Sequence, residues 1–400
     1  MKYFIVLGDG MADEPIEELG GKTPLAYAST PAMDGLSKKS EIGLCHTIPE
    51  GMKPGSDTAN LSVLGYNPRQ YYTGRSPLEA LSIGVDMKNT DIALRCNIVT
   101  VSDDDLPYEK KTIIDHSSSE ISTEDASVLV EALKAQLESD SYKYYVGTSY
   151  RHLTIWDKGR VVELTPPHDI LGKVIGEYLP QEEKLKDMMR KSYDILNNHP
   201  LNIERAKKGL NKANSIWFWG AGTRPQLTSF EEKFNKKGVM ISAVDLLKGI
   251  AVGADMKVVQ VEGADGTLHT NYTGKAMAAV KELTENNYDF AYIHIEAPDE
   301  MGHQGSVPNK IEAIESIDAK VIKVVKEQME KAGTDYRLLV MPDHPTPICC
   351  RTHTSDPVPY MLYDSSRELD ETWDYNEAEA KKSGNVIANG FEIINKLFEL

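Results

Sequence analysis

YFIVLGD (residues 3–9) is an unbroken aromatic and β-branched run that ends in Gly-Asp. Two later stretches repeat its form, DFAYIHIEAPD (289–299) and RLLVMPD (337–343). Such a run, bounded by Gly or Pro, is the pattern of a strand covered on both faces. Each ends on an acid: Asp9, Asp299 or Asp343. Amphipathic helical patterns alternate with the runs, as in NKIEAIESIDAKVIKVVKEQMEKAG (309–333). Strands alternating with helices predict an α/β fold with a doubly wound, mostly parallel sheet. Ligands of such sheets bind beyond the carboxyl ends of the strands. Three acids distant in sequence would therefore converge on one site.

The middle of the chain reads differently. It contains the strand-like ALRCNIVTV (93–101), a helical pattern near 123–138, two strands in YKYYVGTSYRHLTIWDKG (142–159) and a charged helical stretch over 181–211. None of these strands ends on an acid–His cluster. Residues 90–211 are thus expected to form a smaller α+β domain, inserted into a core made of 1–89 and 212–400. SIWFWGAG (215–222) and GVMISAVD (238–245) are expected to resume that core.

Four hundred residues exceed what one compact core normally organises, which fits a core with an insertion. The net charge of −17 argues against nucleic acid or acidic membranes as partners. The five apolar residues in a row at the start are too short for a signal-peptide core, and no later run approaches a membrane span. Cys45, Cys96, Cys349 and Cys350 make neither a CxxC pair nor a disulfide framework. The chain is expected to be cytoplasmic, and to be a monomer or small homo-oligomer. Its overall field would repel a phosphate ester, so metals and a few arginines would have to reverse the sign locally.

Asp299-Glu-Met-Gly-His303 places a carboxylate and an imidazole four residues apart after a strand. Asp343-His344 is an adjacent pair after another strand, with His353 nine residues on. Together with Asp9 these oxygen and imidazole donors suit Mn²⁺ or Zn²⁺, or Mg²⁺ if waters complete its shell. A strand-end Asp alone is more often a turn former, and a lone His more often a structural residue; six at matching strand ends resist that explanation.

Ser56 lies in PGSDTANLSVLG (54–65), where a Ser or Asp after Gly is also an ordinary helix N-cap signature. The functional reading is a nucleophile at a helix N-terminus that welcomes phosphate. Serine needs a base or a metal to act at neutral pH, and two divalent ions would activate it and neutralise the transferring group. Arg75, Arg95, Arg151 and Arg224 lie in loop-like or strand-edge contexts, suited to bidentate recognition of phosphate or carboxylate, with His152 and Lys275 as weaker additions. Competing motifs fail. GGKT (20–23) would need its first P-loop glycine at Ile16, G8-x-G10 meets Asp13 where a dinucleotide-binding turn wants Gly or Ala, and no GxSxG is present.

LGDGMAD (7–13), PGSDTANLSVLGYNP (54–68), YYTGRSPLEA (71–80), SYRHLTIW (149–156), SAVDLLKGIA (242–251), APDEMGHQG (297–305) and PDH…THTSDPVPY (342–360) run from end to end of the chain. In these stretches it resembles the archaeal-type 2,3-bisphosphoglycerate-independent phosphoglycerate mutases of the alkaline phosphatase superfamily. The resemblance implies an alkaline-phosphatase-like core and two divalent cations, Mn²⁺ first, with no 2,3-bisphosphoglycerate. It implies one metal on Asp9, Ser56, Asp343 and His344, and the other on Asp299, His303 and His353. It further implies that Ser56 takes the phosphoryl group and returns it to the neighbouring hydroxyl of glycerate, under a lid formed by the inserted domain. Pro345 replaces a small polar residue of many relatives, and 115–121 (DHSSSEI) lacks the Ala-Gly-Arg-like pattern of mutase members. The latter difference leaves two alternatives open: a related phosphotransferase or kinase acting on homoserine, or a metal-dependent phosphatase.

Overall fold

The computed structural model describes residues 1–399 and thirteen strands within them. In chain order the first seven are β1 (Lys2–Gly8), β2 (Ser40–Cys45), β3 (Ile92–Val101), β4 (Ile113–Asp115), β5 (Tyr142–Thr148), β6 (Arg151–Trp156) and β7 (Ser215–Thr223). The rest are β8 (Gly238–Ile241), β9 (Lys257–Val258), β10 (Phe290–Ile295), β11 (Tyr336–Met341), β12 (Val358–Asp364) and β13 (Val386–Ile387). They divide between two units, one of Met1–Tyr72 with Gln226 onward, the other of Thr73–Pro225.

The first unit holds an eight-stranded sheet in the order β13-β2-β12-β11-β1-β10-β8-β9. The three runs that end on acids are its centre: β1 lies between β11 and β10, parallel to both. Only β12 runs antiparallel to its neighbours, which keeps the sheet mostly parallel. Phe4, Ile5, Val6 and Leu7 are all fully buried, as expected of a central strand covered on both faces. Successive side chains point to opposite faces. Phe4 and Val6 join a core with Ile293, Leu338 and Val340, covered by the helical residues Ala313, Ile314, Ile317, Val321, Val325 and Met329. Register then sets the site. Leu7 is level with Met341 on one side and His294 on the other, so the chain leaves all three strands at one edge.

The helical pattern over 309–333 is real but not uniform. An α-helix Val307–Ile317 passes through a π-helical turn, Asp318–Ile322, into a second α-helix, Lys323–Ala332. At that turn the Asp318 carboxylate accepts from the amides of Ala32 and Met33, satisfying the N-terminus of helix Pro31–Ser37.

The second unit is a separate antiparallel sheet built on β3, every residue of which is buried. β3 pairs with β6 and with β7, β6 pairs with β5, and β4 closes one end of β3. Here the sequence reading needs correction. SIWFWGAG does not resume the first sheet; as β7 it runs antiparallel along β3 from Ile92↔Thr223 to Val99↔Ser215. A buried antiparallel strand carries the same apolar run as a buried parallel one, so composition does not separate them. The unit is accordingly wider than 90–211, taking in β7 and the helix Arg75–Ser82. The charged stretch after 181 is two helices, Glu183–Leu196 and Pro200–Lys207. The second starts at Pro200, with the His199 ring capping it. Among the described residues no helix is long and apolar enough to cross a membrane.

Within this unit Arg95 of β3 makes a two-pronged ion pair with Glu79, which also accepts from Arg75 at 3.1 Å. Burial pushes the Glu79 carboxyl up, but the Arg95 guanidinium overrides it and Arg75 adds to the effect, holding the group below its ordinary value. A depressed carboxyl contributes stability that is complete above the unfolded-chain value of about 4.3 and is lost as pH falls through the lower folded value. Glu79→Gln is therefore expected to cost about 3 kcal/mol at pH 7, because it strands a buried guanidinium. In urea unfolding the deficit against wild type should shrink below about pH 4. An equal deficit at both pH values would contradict this account of the pair.

Candidate metal centre and nucleophile

Asp9 leaves the end of β1 through a turn in which Gly10 has φ +58°. A side chain there would meet Thr346 Oγ1 at 2.5 Å and Asp299 Oδ1 at 2.6 Å, so both the left-handed backbone and the close approach require glycine. Asp343 leaves β11 at the same edge. One of its oxygens accepts from the amides of Gly10 (3.1 Å) and His344 (2.9 Å), the other from Asn60 Nδ2 (2.8 Å). Asp299 lies in the first turn of helix Ala297–Gln304, which follows β10, and His303 falls one turn later on the same face.

Ser56 is not the helix cap. Gly55 occupies the cap position of helix Ser56–Val63, and Ser56 is its first residue. The hydroxyl lies 3.1 Å from His344 Nε2. The Thr346 hydroxyl donates to the Asp299 carboxylate, so its oxygen is free to accept from His344 Nδ1 at 3.3 Å. That leaves a lone pair on His344 Nε2, which faces Ser56 Oγ, Asp9 Oδ1 (3.5 Å) and Asp343 Oδ2 (3.5 Å). These four residues meet as one group.

Asp299, His303 and His353 meet as a second group. His303 Nδ1 faces the Arg351 carbonyl at 3.0 Å, to which it can only donate, so its Nε2 carries a lone pair when the ring is neutral and donates to Asp299 when the ring is charged. This Nε2 is 3.0 Å from His353 Nε2 and 3.2 Å from Asp299 Oδ2, and His353 Nε2 is 3.4 Å from Asp299 Oδ1. The His344 and His353 rings lie 4.0 Å apart, so the two groups adjoin.

The electrostatics suit cations. Burial, then the charges of Asp343 and Asp299, pushes the Asp9 carboxyl well up. Burial also opposes ionisation of Asp299, but hydrogen bonds from His303 and His353 outweigh it and hold that carboxyl well below the usual range. The same hydrogen bond to Asp299 pushes His303 up to about 9, against its burial. A pull of that size on a proton is also a pull on a metal ion. Asp9 Oδ1 is buried with no hydrogen-bond partner, a costly state for a carboxylate oxygen without a cation. Three carboxylates, three imidazoles and a serine oxygen are a donor set suited to two divalent ions.

Other residues hold this arrangement, and the sequence reading missed them. Asn60 donates both to Asp343 and to the Ser56 carbonyl (2.8 Å each), and accepts from the buried Tyr292 hydroxyl. Lys310, fully buried, donates to Asp13 Oδ2 (2.7 Å), the Thr346 carbonyl (2.9 Å) and the Ala12 carbonyl (3.3 Å). Asp13 in turn accepts from the Ile348 amide at 3.2 Å. One ammonium thus ties the loop after β1 to the loop after β11. A lysine within an amphipathic helix gives no such signal, because most lysines there are solvated.

Of the six residues singled out for substrate, five lie in the second unit. Arg75 starts a helix rather than occupying a loop, and Arg95 is buried, paired with Glu79 and 4.5 Å from the Trp219 ring centre. Arg151 begins β6 and is exposed beside the Tyr150 ring, and Arg224 is exposed just after β7. His152 departs from its expected role. It is only 2 % exposed, its Nδ1 accepts from the Gly147 amide, and burial pushes it down to about 4. β6 is buried on both faces from His152 to Ile155, which the sequence did not specify. Lys275, in the first unit, is fully buried with Nζ 3.3 Å from the His294 carbonyl; burial pushes its amine down to about 8.

A family model described as 2,3-bisphosphoglycerate-independent phosphoglycerate mutase matches residues 37–202. A protein of that name from Methanosarcina barkeri is 46 % identical over 99 % of both chains. A solved Pyrococcus horikoshii protein superposes with TM-score 0.83 at 30 % identity, covering 100 % of this chain and 96 % of that one. The cofactor-independent phosphoglycerate mutase of Thermoplasma acidophilum gives 0.67 at 26 %, covering 100 % and 99 %.

Removing the ammonium that joins the two loops should be costly. Lys310→Met is expected to destabilise the protein by about 3–5 kcal/mol, since it leaves the Asp13 carboxylate buried without its partner. Urea denaturation read by circular dichroism measures this; a loss below about 1 kcal/mol, the level of an exposed pair, would show that the bridge is unimportant.

Proposed function

The chain belongs to the 2,3-bisphosphoglycerate-independent phosphoglycerate mutases, and from that premise we propose that it interconverts 3- and 2-phosphoglycerate through a phosphoserine at Ser56. The observation that carries this reading is the Ser56 hydroxyl, uncommitted to helix capping and 3.1 Å from His344 Nε2 amid the acid–imidazole groups. The names of the relatives favour the mutase over a homoserine phosphotransferase.

Asp9, Ser56, Asp343 and His344 would hold one divalent cation, and Asp299, His303 and His353 the other. When bound, two such ions would lower the pKa of the serine hydroxyl and, with four positive charges against three carboxylates, turn the site locally positive for a phosphoryl group.

The protein's own groups account for the rest. Ser56 sits at the N-terminus of an eight-residue helix, whose first-turn amides and dipole favour negative charge at the seryl oxygen. Its Oγ loses its proton and bonds to phosphorus as the bond from phosphorus to O3 of the substrate breaks, and the departing glycerate oxygen takes up a proton. The glycerate then presents its 2-hydroxyl to the phosphoserine. That oxygen loses its proton and bonds to phosphorus, and the seryl oxygen is released and regains a proton. Asn60, bonded to both the Ser56 carbonyl and Asp343, keeps nucleophile and carboxylate in register through both steps. Arg75, Arg151 and Arg224 are assigned to the anionic groups of substrate, on the chemistry of the guanidinium fork.

Metal-stripped protein given 3-phosphoglycerate, with enolase coupling and no 2,3-bisphosphoglycerate, is expected to yield 2-phosphoglycerate only after a divalent ion is restored, Mn²⁺ above Mg²⁺. Turnover undiminished by chelation would overturn the metal assignment. Ser56→Ala should lower kcat by at least ~10³-fold while leaving thermal unfolding unchanged. Retained turnover in that variant would remove Ser56 as the nucleophile.

A further inference from the structure

His294 is the penultimate residue of β10, fully buried, level with Leu7 of β1 and so beside the residue that precedes Gly8 and Asp9. Its Nε2 is 3.0 Å from Asp9 Oδ2. Its Nδ1 is 3.2 Å from the hydroxyl of Ser242, just beyond β8, and that hydroxyl oxygen already accepts from the Val244 amide at 3.0 Å. By proximity alone His294 passes for a metal ligand, because it, Asp9 and Asp343 offer ligand atoms within 4.8 Å of one another.

The hydrogen bonds around it favour another role. The Val244 amide can only donate, so it occupies one lone pair of Ser242 Oγ, and the hydroxyl proton remains available to point at His294 Nδ1. Nδ1 is then the lone-pair nitrogen and Nε2 bears the hydrogen. In that tautomer Nε2 donates to Asp9 Oδ2 at 3.0 Å, which stabilises the ionised carboxylate. A nitrogen that carries a hydrogen cannot bind a cation through the same orbital.

We infer that Ser242 and His294 are positioning residues, a relay that ties off Asp9 Oδ2 and presents Asp9 Oδ1 to the cation. The inference rests on the metal reading above. It explains why the two oxygens of Asp9 differ: Oδ2 has a donor, whereas Oδ1 is buried without one and points toward His344 Nε2 at 3.5 Å. It also gives Lys275 a part in the same unit, since its ammonium braces the His294 carbonyl. Partners that orient a metal ligand in this way commonly govern metal affinity by ~10–100-fold.

The test is a titration of metal-free protein with Mn²⁺, following free Mn²⁺ by electron paramagnetic resonance, so the readout does not depend on turnover. Wild type is expected to bind two equivalents. His294→Phe keeps a planar ring but loses the donor, and should weaken one equivalent by ~10–100-fold while sparing the other. His294→Gln restores an N–H donor at a similar reach and should recover most of that affinity. Ser242→Ala, a small change at a buried site, should weaken the same equivalent by a few-fold and serves if the phenylalanine variant does not fold. Wild-type affinity in both His294→Phe and Ser242→Ala would overturn the relay. Equal loss in His294→Phe and His294→Gln would overturn it too, and would make the imidazole itself a ligand. Failure of wild type to bind Mn²⁺ would instead overturn the metal reading, and the relay with it.

Discussion

Gathering Asp9, Asp299 and Asp343 in one buried place is the constraint from which the other features of the first unit follow. Two like charges about 4 Å apart repel by roughly 4 kcal/mol even at an effective dielectric of 20. Parallel strands of matched register nevertheless deliver all three to a single edge of the sheet. The immediate compensation is made of N–H and O–H groups: two amides and Asn60 on Asp343, the Thr346 hydroxyl on Asp299, His294 on Asp9. These donors orient the carboxylates but do not cancel their charge, and the pressure on the Asp9 carboxyl toward protonation shows what remains. The proposed divalent cations would resolve the conflict, and in doing so would convert an acidic protein into a local receptor for phosphate.

Rigidity is supplied from outside the donor set. Lys310 draws the loops after β1 and β11 together by a buried ammonium, while Asn60 joins the helix that begins at Ser56 to Asp343. The thermodynamic logic differs between them. A buried ion pair gains little over an apolar pair of the same shape but loses heavily when broken; a neutral amide costs less to bury and fixes direction. The two devices suit their positions, one holding loops and the other aligning a single hydroxyl.

The central sheet and the seven clustered side chains were legible because their signals are local. A β-branched run ending in Gly-Asp or Pro-Asp declares both strand and terminus, and His303 sits one helical turn from Asp299. The strand that follows residue 214 was not legible, because pairing direction leaves no mark on a fully buried run, and β7 went to the other sheet. His152 illustrates a related limit: β6 is buried on both faces from His152 to Ile155, and nothing in RHLTIW itself shows that neighbouring elements cover both. His294 stood in plain view inside YIHIE, an imidazole in an otherwise apolar strand, yet nothing near it in sequence names its partners.

What the sequence determined by itself is the set of elements and the inventory of donors, since periodicity and side-chain chemistry are properties of short segments. Tertiary structure alone decided how those donors are used. Whether Ser56 caps a helix or faces His344, and whether His294 binds a cation or orients Asp9, depends on hydrogen-bond partners that lie 52 to 288 residues away. The direction of a hydrogen bond is fixed by both of its ends, and only the folded chain brings those ends together.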